Sequence, residues 1–301
     1  VNEETQVSGD HEGETAPAGR AGAAGVAGVA GPVADVGVFG GSGFYTFLED
    51  ARSVEVSTAW GAPSGPITIG RVPIGRAGLA TSGDDHVSAD DDVRVAFLPR
   101  HGPDHRHPPH RVNYRANVDA MRQLGVRALV SPFAAGSLRP EIKPGDFVVV
   151  DQFVDRTSGR ADTFYDQFDE GPRHAPLAEP YDAKLRAILL DAAAAAGVTA
   201  HDGGTVVVTN GPRFSTRAES QWHRAAGWHV VNMTQYPEAA LAREAGIPFA
   251  GIALVTDYDA GLDEAPEVEP VTQETVFRVF EANLDRVREL LLSAIPALAR
   301  R

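Results

Sequence analysis

Apolar and polar positions along this chain follow two different periods. Short uninterrupted apolar runs predict buried strands at 35–39, 93–98, 127–130, 146–150, 204–208, 229–231 and 249–255. Strand-like runs also occupy 53–58 and 66–71. Helical spacing appears at 113–124, where Val118, Met121 and Leu124 share a face, and it stops at Gly125. The Ala-rich stretch 181–196 reads as a helix ended by Gly197, and 216–226 as a helix closed by Gly227. Residues 237–245 fit a helix with Pro237 at its first position and Gly246 beyond its end. The last element, 272–294, predicts one long amphipathic helix, with Val276, Val279, Phe280, Leu284, Val287 and Leu291 at helical spacing. Strands and helices alternate with no internal linker after residue 34, which predicts a single α/β domain over 34–298.

Two segments fall outside this pattern. Residues 1–33 begin acidic and polar and turn into an Ala/Gly/Val tract; lacking a basic start and a compact apolar centre, they read as a disordered low-complexity tail rather than a secretory signal. Residues 83–92 form an acidic, turn-rich surface insert.

Composition narrows the function. Hydrophobic residues make up 43% of the 301, enough for a sizeable core. The formal charge of −14 disfavours nucleic acid and anionic membrane as partners, because both reward a positive face. A small anionic ligand needs only a local cluster of donors and stays possible. The absence of cysteine removes disulfides, thiolate metal sites and Cys nucleophiles, and is compatible with a cytoplasmic enzyme.

Candidate chemistry sits at the strand ends. Thr256-Asp257-Tyr258-Asp259 follows the apolar run 249–255, so its two aspartates are expected where a strand leaves the sheet. A partly desolvated carboxyl there can hold a proton near neutral pH. Read alone, the tetrapeptide favours an Asx turn or a helix cap. Gly40-Gly41-Ser42-Gly43 is a Gly-rich turn able to approach an oxyanion, and it lacks the pattern of a triphosphate P-loop. In Arg100-His101 the planar fork of Arg100 suits phosphate and His101 can donate or carry a proton; a surface salt bridge is the plain alternative. His101, His105, His107 and His110 invite a metal reading, but their irregular, proline-interrupted spacing favours a rigid loop. Phe214 could stack on a flat ring or belong to the core, and Ser215 or Thr216 is a fair N-cap. Thr234 offers a hydroxyl and an N–H for an anion at a helix start, and Met233 a soft surface for a sugar.

Taken together the segments are specific. Phe39-Gly40-Gly41-Ser42-Gly43-Phe44, Leu98-Pro99-Arg100-His101, Ala135-Gly136-Ser137-Leu138, Gly211-Pro212-Arg213-Phe214-Ser215, Asn232-Met233-Thr234 and Thr256-Asp257-Tyr258-Asp259 occur in an order that resembles the methylthioadenosine phosphorylase branch of the trimeric purine nucleoside phosphorylases. The resemblance covers about 34–296. It implies a central mixed β-sheet, partly barrel-like, flanked by helices. It also implies phosphorolysis of a methylthioadenosine-type nucleoside with inorganic phosphate as co-substrate and no cofactor. Ser42, Arg100, His101 and Thr234 would bind phosphate; Met233 would lie against the ribose; Ala134, Phe214 and Ser215 would border the substrate. Asp257, the catalytic acid, would face purine N7 and Asp259 the amino side. His174 would reach a neighbouring subunit's site, in a homotrimer.

The chain departs from that pattern at Phe133, where many members carry a Thr whose hydroxyl a phenyl ring cannot replace. Tyr236 is bulky and is expected to trim the pocket near the sugar. The rival readings are a 6-oxopurine nucleoside phosphorylase (relatives that tend to carry Asn in place of Asp257), a non-catalytic nucleoside- or phosphate-binding protein, and a metal-dependent hydrolase built on the histidine cluster.

Overall fold

A computed structural model describes residues 33–40, 48–74, 92–168, 171–260 and 271–300. Strand β5, Ala128–Ser137, organises the sheet. Its first residues pair in parallel with β1 (Val36–Gly40), its last residues antiparallel with β10 (Val230–Asn232), and nearly its whole length in parallel with β11 (Phe249–Tyr258). From β1 the sheet continues through β4 (Val93–Pro99) and β3 (Ile67–Val72) to β2 (Glu49–Val54). From β10 it runs through β9 (Thr205–Thr209) to β7 (Gln152–Arg156), and from β11 through β6 (Phe147–Val149) to β8 (Ala200–Asp202). Both ladder types occur, so the sheet is mixed.

The apolar runs are continuous because both faces of the central strands are covered. Along β1, Val38 packs in one core cluster and Phe39 in the other; along β4, Phe97 and Leu98 divide in the same way. One cluster includes Met121 of α1 (Tyr114–Gln123) and Leu241 of α4 (Gln235–Glu244), two helices that pack together. The other includes Leu189 of α2 (Ala183–Ala195) and Leu291 of α6 (Leu284–Ala299), which also pack together. Helix α3 (Arg217–Ala225) starts with a capping box between Thr216 and Glu219.

Several elements differ from the sequence expectation. Strand β5 runs on past 127–130 through Ser131, whose buried hydroxyl is accommodated because charged and amide groups meet it there. Strand β11 runs past Val255 to Tyr258 by way of an irregularity that skips Thr256, so Asp257 stands within the strand rather than beyond its end. β2 lies earlier than 53–58 and is an exposed outer strand, which explains its polar sequence. β7 and β8 were not legible as apolar runs, since most of their residues are only partly buried. The helix expected over 272–294 is broken at Asn283, where the backbone turns to φ −112°, ψ 4°, dividing α5 (Gln273–Ala282) from α6. Residues 1–32 of the expected tail, 41–43 of the turn bearing Ser42 and 83–91 of the insert expected at 83–92 lie outside the described residues; Val33, expected to end the tail, is instead buried, its N–H donating to the Leu124 carbonyl at 2.8 Å.

Candidate active site

Strands β1, β4, β5 and β11 are parallel to one another, so their C-terminal ends lie on one side of the sheet, where crevices form in α/β folds. A cavity of about 190 Å³ opens there. Its walls come from Arg100 and His101 after β4, from Phe133 to Gly136 in β5, from Val231 and Asn232 in β10, and from Thr256, Asp257 and Asp259 in and after β11. Phe214, Ser215, Met233 and Thr234 complete it, with Val276 of α5 on one side. Thus Arg100, His101, Ala134, Phe214, Ser215, Met233, Thr234, Asp257 and Asp259, far apart in sequence, share one cavity. Ser42 lies outside the described residues, and His174 does not line the cavity; it is exposed, with its ring edge-on to Phe168 at 5.6 Å.

One end of the cavity is acidic. Asp257 is 8% exposed, and burial pushes its carboxyl up to about 6; the nearby Asp259 adds to the rise, while the Thr256 hydroxyl, donating to Oδ1 at 2.7 Å, opposes it. Asp259 is also raised by burial, against hydrogen bonds from the Ser220 and Ser215 hydroxyls. Its Oδ2 is buried and has no hydrogen-bond partner among the described residues. An acceptor so placed can be completed by a ligand donor or by water. Phe214 is 38% exposed, so its ring is a wall of the cavity and not part of the core.

The other end is organised around Arg100, which is 3% exposed. Its planar fork is turned toward Glu238: Nε donates to Oε1 at 2.7 Å and Nη2 to Oε2 at 3.2 Å. Nη1 donates to the Pro132 carbonyl, and Nη2 also to Ser131 Oγ and the Phe39 carbonyl. Of five guanidinium N–H groups, this leaves one on Nη1 for a ligand, not an open bidentate fork. The Thr234 N–H is likewise committed, donating to Asn232 Oδ1 at 2.6 Å, and its hydroxyl donates to the same oxygen at 3.3 Å. His101 Nδ1 lies 2.9 Å from the His107 carbonyl oxygen, and burial together with Arg100 holds the ring neutral, its pKa pushed down to about 4. Phe133 is buried and presents no hydroxyl.

Three residues to which the sequence reading gave no role frame the site. Glu238 neutralises Arg100 from 138 positions away. Asn232 ties Thr234 and Gln235 to β5, its Nδ2 donating to the Ala134 carbonyl at 3.0 Å. Arg160 donates to the carbonyls of Thr209, Asn210, Met233 and Tyr236 and stands over the Tyr114 ring, so one guanidinium holds two walls. Tyr236, in contrast to expectation, does not line the cavity: its hydroxyl donates to Asp162 at 2.7 Å and its ring packs on Phe153. Tyr236 is also non-helical, which is why regular α4 geometry begins at Pro237. The histidine cluster is a folded loop in which the His101 and His105 rings stack at 4.8 Å, and no group of three or more metal-binding side chains is assembled among the described residues.

The sequence profile of the phosphorylase superfamily matches residues 35–296. A purine nucleoside phosphorylase of Streptomyces coelicolor is 49% identical over 271 residues, covering 88% of this chain and 89% of its own. An S-methyl-5′-thioadenosine phosphorylase of Mycolicibacterium smegmatis is 50% identical over 264 residues, covering 87% and 91%. Among solved structures, a mutant adenosine/methylthioadenosine phosphorylase from Schistosoma mansoni in complex with methylthioadenosine superposes with a TM-score of 0.76 at 37% identity, covering 89% of this chain and 92% of that one. A second mutant of that enzyme, in complex with adenine, gives 0.78 at 38% identity, covering 89% and 93%.

Proposed function

The chain belongs to the phosphorylase superfamily, and on that premise we propose that it cleaves S-methyl-5′-thioadenosine with inorganic phosphate, giving adenine and 5-methylthioribose 1-phosphate. The observation that carries this reading is the single cavity with Asp257 and Asp259 at one end and Arg100, His101 and Thr234 at the other. A nucleoside bridges the two: its base meets the acids, stacked on Phe214, and its sugar lies against Met233 next to the phosphate. An oxygen of the phosphate bonds to the anomeric carbon as the glycosidic bond breaks, the bonding electrons leaving with the purine. The anion offsets the positive charge that develops on the sugar. Asp257, raised to about 6, supplies a proton to N7, and Asp259, with its unpartnered Oδ2, accepts from the 6-amino group. The net reaction moves the proton of hydrogen phosphate to the base, so Asp257 is restored at each turnover.

Among the described residues, the donors for the anion are the second Arg100 Nη1 N–H and the Thr234 hydroxyl, which must turn from Asn232 Oδ1 to reach it, with Ser42 placed there by family resemblance. His174 and Phe168, both exposed, fit a role at a neighbouring copy's sugar site in a homotrimer. The reaction needs neither metal nor organic cofactor, and a chelator is expected to leave the rate unchanged. Base choice is tested by comparing adenine and hypoxanthine release from methylthioadenosine, adenosine and inosine: adenine release from methylthioadenosine should dominate. Preferential cleavage of inosine would instead assign a 6-oxopurine substrate.

A further inference from the structure

The His101 ring carries a proton assignment that bears on which anion the site accepts. A carbonyl oxygen only accepts hydrogen bonds, so the 2.9 Å contact from Nδ1 to the His107 carbonyl fixes the ring hydrogen on Nδ1. The ring is neutral, with Arg100, His105 and His107 as the charged or titratable groups acting on it. Nε2 therefore carries a lone pair, and no described residue donates to it. His101 lines the cavity beside Arg100 and Thr234, where the phosphate reading places the anion.

Among the described residues the surroundings add little positive charge. Arg100 is paired with Glu238, and Phe133 offers no donor. A bare lone pair among these groups repels an anion whose oxygens are all deprotonated. It welcomes an anion that brings its own hydroxyl.

We propose that His101 acts as a hydrogen-bond acceptor for the P–OH of hydrogen phosphate, so that the site selects phosphate over sulfate. Near neutral pH inorganic phosphate keeps a hydroxyl hydrogen, whereas sulfate, of similar size and shape, has none. Arsenate keeps one too. His101 is thus a specificity residue for the co-substrate, a role distinct from donating to a phosphate oxygen. The inference rests on the phosphorolysis reading.

The test uses the full chain with methylthioadenosine as substrate, measuring the KM for phosphate and arsenate and the competitive Ki of sulfate. Arsenate should replace phosphate with a KM within about 5-fold, and sulfate should bind about 30-fold more weakly than phosphate, the scale of a buried acceptor left unpaired. In His101→Gln, whose amide can turn a donor to the anion, that gap should close by about 5-fold or more. Sulfate competing as strongly as phosphate binds in the wild-type protein would overturn the inference while leaving phosphorolysis intact. So would an unchanged gap in a folded His101→Gln. Absence of any phosphate-dependent cleavage would instead remove the reading beneath it. If His101→Gln does not fold, the wild-type sulfate comparison decides alone.

Discussion

The Asp257 carboxylate occupies space that a side chain on residue 136 would need: a Cβ built on Gly136 comes within 2.9 Å of Asp257 Oδ2. The two residues are register partners across β5 and β11, next to the irregularity at Thr256. Gly136→Ala is therefore expected to push the carboxylate aside while leaving the backbone ladder of the sheet intact, because the atoms its Cβ meets closely, Asp257 Oδ2 at 2.9 Å and Val231 Cγ1 at 3.1 Å, belong to side chains. Since a displacement of about 1 Å at a reacting group can cost about 100-fold, turnover should fall by that order while thermal unfolding changes little. Unaltered turnover in Gly136→Ala would mean that the position of Asp257 is not critical.

Replacing the acid itself separates chemistry from stability. Asp257→Asn should lower turnover by about 100-fold or more, the contribution of a positioned general acid. It should also change the pH dependence of folding. The carboxyl is raised from 3.8 to about 6 in the folded chain, so its proton stabilises the fold fully below the unfolded value and that stabilisation is lost as pH rises through about 6. Denaturant titrations should show Asp257→Asn gaining about 2 kcal/mol relative to wild type between about pH 4 and pH 7. A difference that stays flat with pH would show that the carboxyl is not raised.

Breaking the Arg100–Glu238 pair leaves a guanidinium buried with no counter-charge. Glu238→Ala is expected to destabilise the protein by about 3–5 kcal/mol, read from urea unfolding. A loss below about 1 kcal/mol would place the pair among weak surface bridges, against its near-complete burial.

Arg160 holds the Met233 and Thr209 walls through backbone carbonyls, a task that needs a planar, forked donor. Arg160→Lys should raise the KM for the nucleoside by about 10-fold, roughly the effect of losing one or two charge-assisted hydrogen bonds, with a smaller change in kcat. Equal loss in kcat and kcat/KM would place Arg160 in the transition state instead.

Much of the fold was legible because its strands are buried on both faces and its helices end at glycine. Gly125, Gly197, Gly227 and Gly246 follow α1, α2, α3 and α4 closely, and all four have positive φ. The same logic fails where polar residues are buried by partners distant in sequence. Ser131 hides the continuation of β5, since the groups that satisfy it, Arg100, Glu238 and Gln235, belong to other segments. The bulge that carries Asp257 inside β11 depends on the register with β5, which no local pattern encodes. Asn283 breaks the last helix although the apolar spacing runs straight through it. Of the site, Arg100 and His101 were visible as residues, but their states were not: Glu238 claims the fork of one, and the His107 carbonyl fixes the tautomer of the other. Arg160 gave no signal, because most of its partners are backbone carbonyls, and its side-chain partners Asn210 and Tyr114 lie 50 and 46 positions away.

The central claim is that phosphate, not water, takes the sugar. Purified protein stripped of phosphate is incubated with methylthioadenosine, with and without added inorganic phosphate, and adenine and the sugar product are quantified together. Adenine release is expected only when phosphate is present, matched one for one by 5-methylthioribose 1-phosphate. Adenine release at the same rate without phosphate, with free 5-methylthioribose as the product, would contradict the central claim.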